Sequence, residues 1–192
     1  LALDMMGEES DEALLARIAG GDAAAARALS LRLAPRVLAH AHRMLGDRAE
    51  AEDVTQEALL RLWRFAPDWR DGQAKVSTWL YRVTANLCID RQRKQRTTGL
   101  DAVPEVADDR MSVADELTAR DRARALQEAL LELPDRQRQA VVLKHIEGCA
   151  TREIAQIMDI GPRAAESLIA RGRRALDARL SGRREELGYG ED

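Results

Sequence analysis

The stretch "TREIAQIMDIGPRAAESLIARGRRAL", Thr151 to Leu176, reads as two helices joined by the short turn "MDIG", which contains Gly161. Ile154, Ala155, Ile160, Leu168 and Ile169 recur where two helices crossing at a turn must pack, which is the helix-turn-helix pattern. Pro162 suits the first position of the second helix, because the N–H it lacks would have had no partner there. On that helix Ala165, Leu168, Ile169, Gly172 and Leu176 fall inward at the helical period. Arg163, Glu166, Ser167, Ala170 and Arg174 then face out, flanked by Arg171 and Arg173. Side chains of these types can read base edges and hold phosphates in a major groove. Arginines near a helix end also complement the helix dipole, so it is the turn ahead of them that favours nucleic acid.

Working outward, two more helices precede this unit, one ending near Leu133-Pro134 and the next near Ile146. The 192 residues are 33% charged and 45% apolar, yet only 3% aromatic, so Ala, Leu, Ile and Val carry the core. That Ala/Leu/Arg/Glu-rich composition favours helix almost everywhere and predicts an all-α chain, enough for one medium or two small domains. No apolar run reaches membrane-spanning length, and "LALDMMGEESDE" lacks the basic start and apolar centre of a signal peptide. A cytoplasmic protein with no membrane insertion is expected. Cys88 and Cys149 lie far apart without Cys-x-x-Cys spacing, which signals neither a disulfide framework nor a zinc site; buried, unreactive thiols are expected. His40 and His42, two apart, point to different helix faces, so no metal or other cofactor is expected.

The net charge of −3 conceals a division along the chain. From Arg70 to Arg96, the positives Arg70, Lys75, Arg82, Arg91, Arg93, Lys94 and Arg96 face only Asp71 and Asp90. The next stretch, "TTGLDAVPEVADDRMSVADELTARD", is acidic, and its first half lacks a helical apolar period; residues 97–121 read as a linker. Arginine dominates again from Arg163 to Arg184. Two basic surfaces on an acidic tether suggest a partner touched twice, most simply a nucleic acid.

In the N-terminal body, residues 10–96, Ser10 or Asp11 can cap a first helix and Asp22 a second, which Pro35 is expected to bend or interrupt. Asp47 followed by Glu50 is a capping-box-like start for a third helix, with Ala51, Val54, Ala58, Leu62 and Phe65 on one side. Asp53, Gln56, Glu57, Leu60 and Arg64 lie opposite; a leucine central to a polar stripe suits a docking surface. In "KVSTWLYRVTANLCIDRQRK", Lys75 to Lys94, Leu80, Val83 and Leu87 make the expected buried stripe. Arg82, Asn86, Ile89 and Arg93 line another face with Trp79 at its leading edge. That face offers cations for phosphates, an amide for a base edge and a ring on which an unstacked base could rest. Spacing alone leaves open that Trp79 and Tyr81 fill the core with their polar atoms at its rim.

Taken in order, "AEDVTQEALLRLWR", "KVSTWLYRVTANLCIDRQRK" and "LPDRQRQAVVLKHIEGCATREIAQIMDIGPRAAESLIARGRRAL" resemble the sigma-70 family of RNA polymerase sigma factors, in its small extracytoplasmic-function (ECF) group. The resemblance implies region 2 over residues 10–96, the linker over 97–121, region 4 over 122–182 and a tail over 183–192. It implies that Asp53, Gln56 and Glu57, extended by Leu60 and Arg64, dock on the clamp helices of the polymerase β′ subunit. Trp79 matches the aromatic associated with promoter melting, and Asn86 to Arg93 match the segment bordering the −10 element. The loop "APDWRDGQAKV", Ala66 to Val76, matches the loop that captures a flipped −10 base, which brings in Trp69, Arg70 and Lys75 beside Arg82. Region 4 would meet the β flap and bind −35 duplex through Arg163, Glu166, Ser167, Ala170, Arg171 and Arg174. The sequence "GPRAAES" departs from the Ser-Val-Gly-Thr-Val type of run more usual there, so the −35 bases are not carried over. An anti-sigma factor as a further partner is also implied.

Two other classes are weighed against this. A helix-turn-helix regulator acting without polymerase should carry a receiver or ligand-binding domain, and residues 1–96 show no strand-helix alternation for one. An enzyme would need converging carboxylates with a metal, or a nucleophile with its base; the acids here follow surface helix periods and His145 has no obvious partner.

Overall fold

The computed structural model describes residues 9–98, apart from Asp71 and Gln73, and residues 115–182. Within them the chain is helical. The first body comprises α1 (Asp11–Ala19), α2 (Ala23–Leu45), α3 (Arg48–Phe65), a single 3-10 turn (Ala66–Asp68) and α4 (Val76–Thr98). The second comprises α5 (Asp115–Leu131), α6 (Asp135–Val141) running into a π turn (Val142–Ile146), α7 (Thr151–Met158) and α8 (Pro162–Gly182). Helix thus enters both ends of the stretch expected to be linker, and residues 99–114 lie outside the described residues.

The starts of α1, α2 and α3 are set by side-chain acceptors for amides that helix geometry leaves unpaired. Ser10, not Asp11, caps α1 by accepting from Ala13 N at 3.1 Å, and Asp22 accepts from Ala24 N (2.8 Å) and Ala25 N (3.1 Å) at α2. Asp47 accepts from Glu50 N at 2.8 Å, while the Glu50 carboxylate is engaged by Arg91 of α4. Pro35 does not interrupt α2. The carbonyl deprived of its donor belongs to Leu31, a residue 69% exposed, where water can take the place of the missing N–H. The helix ends at Gly46 (φ +78°), where an added Cβ would meet Leu131 Cδ1 of α5 at 2.6 Å.

Leu14, Leu15, Leu29, Leu33, Val37, Leu62 and Leu80 form the main core of the first body, extended by Met44, Val54 and Cys88. The expected stripe on α4 packs on the first core, with Leu80 buried and Val83 and Leu87 half-buried against it, but burial extends beyond it to Tyr81, Thr84, Ala85 and Cys88, because α4 is covered on two sides. One side is its own body; the other is α7, whose Ile154, Ile157 and Met158 share an apolar cluster with Tyr81.

In the second body α6 and α8 cross so closely at Gly172 that a Cβ there would lie 2.6 Å from Val141 Cγ2 and 2.9 Å from Gln137 O. The helix-turn-helix is present, with Ile154 and Ala155 buried and Ile160, Leu168 and Ile169 packed against them. Its left-handed residue is Asp159 (φ 52°), a position that Asp tolerates better than most side chains, so the turn does not depend on Gly161. The π turn closes with Glu147 N donating to Val142 O (3.0 Å) and Cys149 N to Leu143 O (2.9 Å), which delivers Glu147 to the seam between the bodies.

Candidate functional site

Three surfaces carry the residues singled out above. On α3, Asp53, Gln56, Leu60 and Arg64 are exposed and Glu57 partly so. Leu60 is 39% exposed; besides Leu31 it is the large apolar side chain that stands out among the described residues. Arg61 donates to Glu57 at 2.7 Å and, chiefly through that bond, holds its carboxyl below the usual range. Asp53 is approached by Arg91 Nη1 at 3.4 Å. The face therefore presents two arginine-paired carboxylates and an amide around an exposed leucine, able to meet a polar surface that offers an apolar recess.

The second surface joins the 3-10 turn to α4. Phe65 organises it: Trp79 stacks on Phe65 with ring centres 5.2 Å apart and planes 3° off parallel, and Trp69 meets Phe65 edge-on at 6.1 Å. Both tryptophans are half-buried against the first core. Of the two possibilities left open for Trp79, the geometry shows a packed ring that retains partial exposure. Arg70, Lys75, Arg82, Asn86 and Arg93 are exposed. Two of these cations are engaged by the other body: Lys75 Nζ donates to Glu153 Oε1 at 2.7 Å, and Arg82 Nη2 lies 3.6 Å from Asp159 Oδ2. The expected base-capture loop falls partly outside the described residues, at Asp71 and Gln73.

On α8, Arg163, Glu166, Ala170, Arg171 and Arg174 are exposed and Ser167 half-buried, all on the side away from Ala165 and Gly172. Arg171 donates to Ser167 Oγ from Nη2 (2.6 Å) and Nε (3.1 Å), an i,i+4 contact along the same helix. Lys144, His145 and Thr151 line an open groove with Glu166, Ala170, Arg173 and Arg174, widening the basic face beyond the helix itself.

No sequence pattern signals the polar cluster at the seam. Tyr81 Oη donates to Glu147 Oε2 at 2.6 Å; Glu147 Oε1 lies 3.5 Å from Arg43 Nη1 and 3.8 Å from His40 Nδ1. Burial, then the Glu147 contact, holds the Tyr81 hydroxyl protonated far above its ordinary range. Burial, then the nearby Arg43 charge, pushes His40 down to about 3, so its imidazole is neutral. His40 and Arg43 share one turn of α2, but Tyr81 is 66 positions from Glu147, and no periodicity links either to that turn. The thiols are held protonated, Cys88 pushed up to about 12 and Cys149 to about 11, in both cases chiefly by burial. Among the described residues no group of three or more His, Cys, Asp or Glu side chains is placed to hold a metal, and no helix is long and apolar enough to cross a membrane.

Comparison with known proteins adds independent information. Residues 29–98 match the Sigma-70 region 2 family and residues 123–176 the Sigma-70, region 4 family. The chain is 36% identical over 150 residues to the ECF RNA polymerase sigma factor SigW of Bacillus subtilis, covering 72% of this chain and 80% of that one. It is 35% identical over 176 residues to SigM of Mycobacterium tuberculosis, another ECF sigma factor, covering 91% and 86%. Among solved structures it is similar to CnrH in complex with the cytosolic domain of CnrY, with a TM-score of 0.69 and 26% identity over 91% of this chain and 99% of that one.

Proposed function

The chain belongs to the sigma-70 family of RNA polymerase sigma factors, in the ECF group, and from that membership we propose how its three surfaces divide the work of initiation. The α3 face, Asp53, Gln56, Glu57, Leu60 and Arg64, docks on the β′ clamp helices of core polymerase. The α4 surface, with Trp69, Arg70, Lys75, Trp79, Arg82, Asn86 and Arg93, receives the −10 element as its strands part. The outer side of α8, with Arg163, Glu166, Ser167, Ala170, Arg171 and Arg174, reads the −35 duplex, and the helices before it meet the β flap. Residues 10–96 and 122–182 are the two working units. The chain acts in the cytoplasm by binding, without chemistry of its own.

The physical division is economical. A duplex is read by side chains projecting into the major groove, which α8 supplies. A separated strand has lost stacking and needs flat rings beside cations, which Phe65, Trp69 and Trp79 supply next to Lys75 and Arg82. An anti-sigma factor completes the scheme, a proposal supported by the ECF membership and by CnrH, which was solved with a protein bound.

The observation that carries the reading is the polar face with the exposed Leu60 at its centre on the same chain as an arginine-bearing helix-turn-helix. A regulator acting on DNA alone has no use for the former. Reversing charge at Asp53→Lys with Glu57→Lys should abolish co-elution with core polymerase while leaving the circular dichroism spectrum unchanged. Core affinity equal to that of the unaltered chain would remove the α3 assignment.

A further inference from the structure

Arg163, Arg171, Arg173 and Arg174 make the exposed side of α8 cationic, and a carboxylate, Glu166, stands exposed among them. A duplex is a polyanion, so a carboxylate turned toward it is repelled unless it meets a hydrogen-bond donor there. The ordinary reasons for an acid at this place do not hold. An acid that complements the helix dipole sits in the first turn; the first turn of α8 carries none, and Arg163 stands there instead. An acid that pairs along the helix needs a cation three or four residues away. After Glu166 those places are taken by Ile169 and Ala170, and before it by Arg163 and Pro162. Glu166 forms no ion pair with Arg163 among the described residues, nor with Lys144 or His145, which line the same open groove from the π turn. Arg171 is turned to Ser167 at 2.6 Å and Arg173 to Asp177 at 3.6 Å. The acceptor oxygens of Glu166 are left uncommitted on the side of α8 that faces outward.

We propose that Glu166 reads a base: its carboxylate accepts a hydrogen bond from the exocyclic amine of a cytosine in the major groove, which makes a C·G pair part of the upstream element this chain selects. The proposal rests on the reading of α8 as the −35 helix. The choice of base follows from what an ionised carboxylate is, a group with acceptors and no donor. In the major groove guanine shows it two acceptors, thymine an acceptor and a methyl group, and adenine a donor beside an acceptor. Cytosine shows a donor alone, so it is the edge with nothing to repel the carboxylate. An arginine at the same place would select guanine, so the sign of the charge at 166 decides which strand of a C·G pair is read. Arg174 lies eight residues further along the helix. By helical rise that is about 12 Å, which puts the cytosine about three to four base pairs from whatever Arg174 touches. Repulsion from the phosphates then serves selectivity, because a carboxylate without its donor is a net cost on every other sequence.

The test uses the full chain assembled with core polymerase and a pool of duplexes randomised over the length of a promoter, with core alone as background; the retained duplexes are sequenced. The unaltered chain should enrich cytosine at one upstream position. Glu166→Ala should lower the preference for cytosine there by about tenfold and leave the other positions as they are. Glu166→Gln, whose amide offers a donor and an acceptor together, should move that position toward adenine. An upstream motif without cytosine, or one that keeps its cytosine in Glu166→Ala, would overturn the proposal. So would a loss at a guanine in place of the cytosine, which would make Glu166 a support for a neighbouring arginine. Arg174→Ala separates the proposal from its basis. If Arg174→Ala alters the upstream motif and Glu166→Ala does not, the base assignment falls while the reading of α8 stands. If neither variant alters it, α8 is not the −35 helix and both fall together.

Discussion

α4 and α8 carry the two basic runs of the chain, and the fold treats them in opposite ways. α4 is covered on two sides, its rings are packed on Phe65, and Lys75 and Arg82 are met by carboxylates of the other body. α8 is seated along one side, and the contacts of its arginines include pairs along their own helix, such as Arg171 with Ser167 and Arg173 with Asp177. A surface for separated strands needs rings held rigid beside cations, so it grows out of the core and shares its energetics. A surface for duplex needs only projecting side chains, so it can be independent of the core.

The sharpest way to break that contrast is Trp79→Ala. Loss of a ring packed on Phe65 should cost about 2 to 4 kcal/mol of stability, seen as a lowered melting temperature, with Trp79→Phe recovering part of it. On a fully paired promoter the Ala variant should open slowly, and on a template already mismatched across the −10 region part of the defect should vanish. An unchanged melting temperature would mean that this ring adds nothing to the packing of the first body. Arg174→Ala is the matching test on α8. It should weaken −35 duplex binding by about 1 to 3 kcal/mol if a base is contacted, relaxing selectivity at one position, with the melting temperature unmoved. A fall in melting temperature comparable to that of Trp79→Ala would erase the distinction between the helices.

A smaller effect sharpens the account of the seam. His40 is neutral, facing Glu147, Arg43 and the Tyr81 ring, with its titration lowered from 6.5 to about 3. The unfolded chain takes up a proton that the folded chain refuses, so stability is full above about pH 6.5 and falls as pH drops toward 3. The slope from this group approaches about 1 kcal/mol per pH unit. His42, also lowered by burial, adds a lesser slope of the same sign. Urea midpoints at pH 7 and pH 5 should differ less in His40→Phe than in the parent chain. Identical differences would show that His40 is hydrated, and hence that the seam over α4 is open in solution.

Short-range features were legible in the sequence. Asp22 and Asp47 cap their helices, the inward positions of the helix-turn-helix pack, and the outward residues of α8 are exposed, because each depends on neighbours within a turn or two. Pro35 does not interrupt α2, because the local rule concerns the missing donor and cannot see that the orphaned carbonyl belongs to an exposed residue. The turn is legible as "MDIG", but nothing in those residue types marks which one is left-handed, and Asp159 takes that conformation. Tyr81, Glu147 and His40 went unseen as a group. Their meeting depends on the π turn and on how α7 lies over α4, which are tertiary facts without a sequence period.

Gly172 has a consequence for how promoter preference can change. With Val141 Cγ2 and Gln137 O both within 3 Å of where its Cβ would be, the angle and depth of α8 are fixed at one point on its inner side, away from the outer residues proposed to face DNA. Substitutions at 163, 166, 170 or 174 leave that seat untouched. The lettering of the recognition helix can therefore be rewritten while its mounting stays the same, and a duplicated gene could acquire a new set of target promoters without first having to solve the fold again.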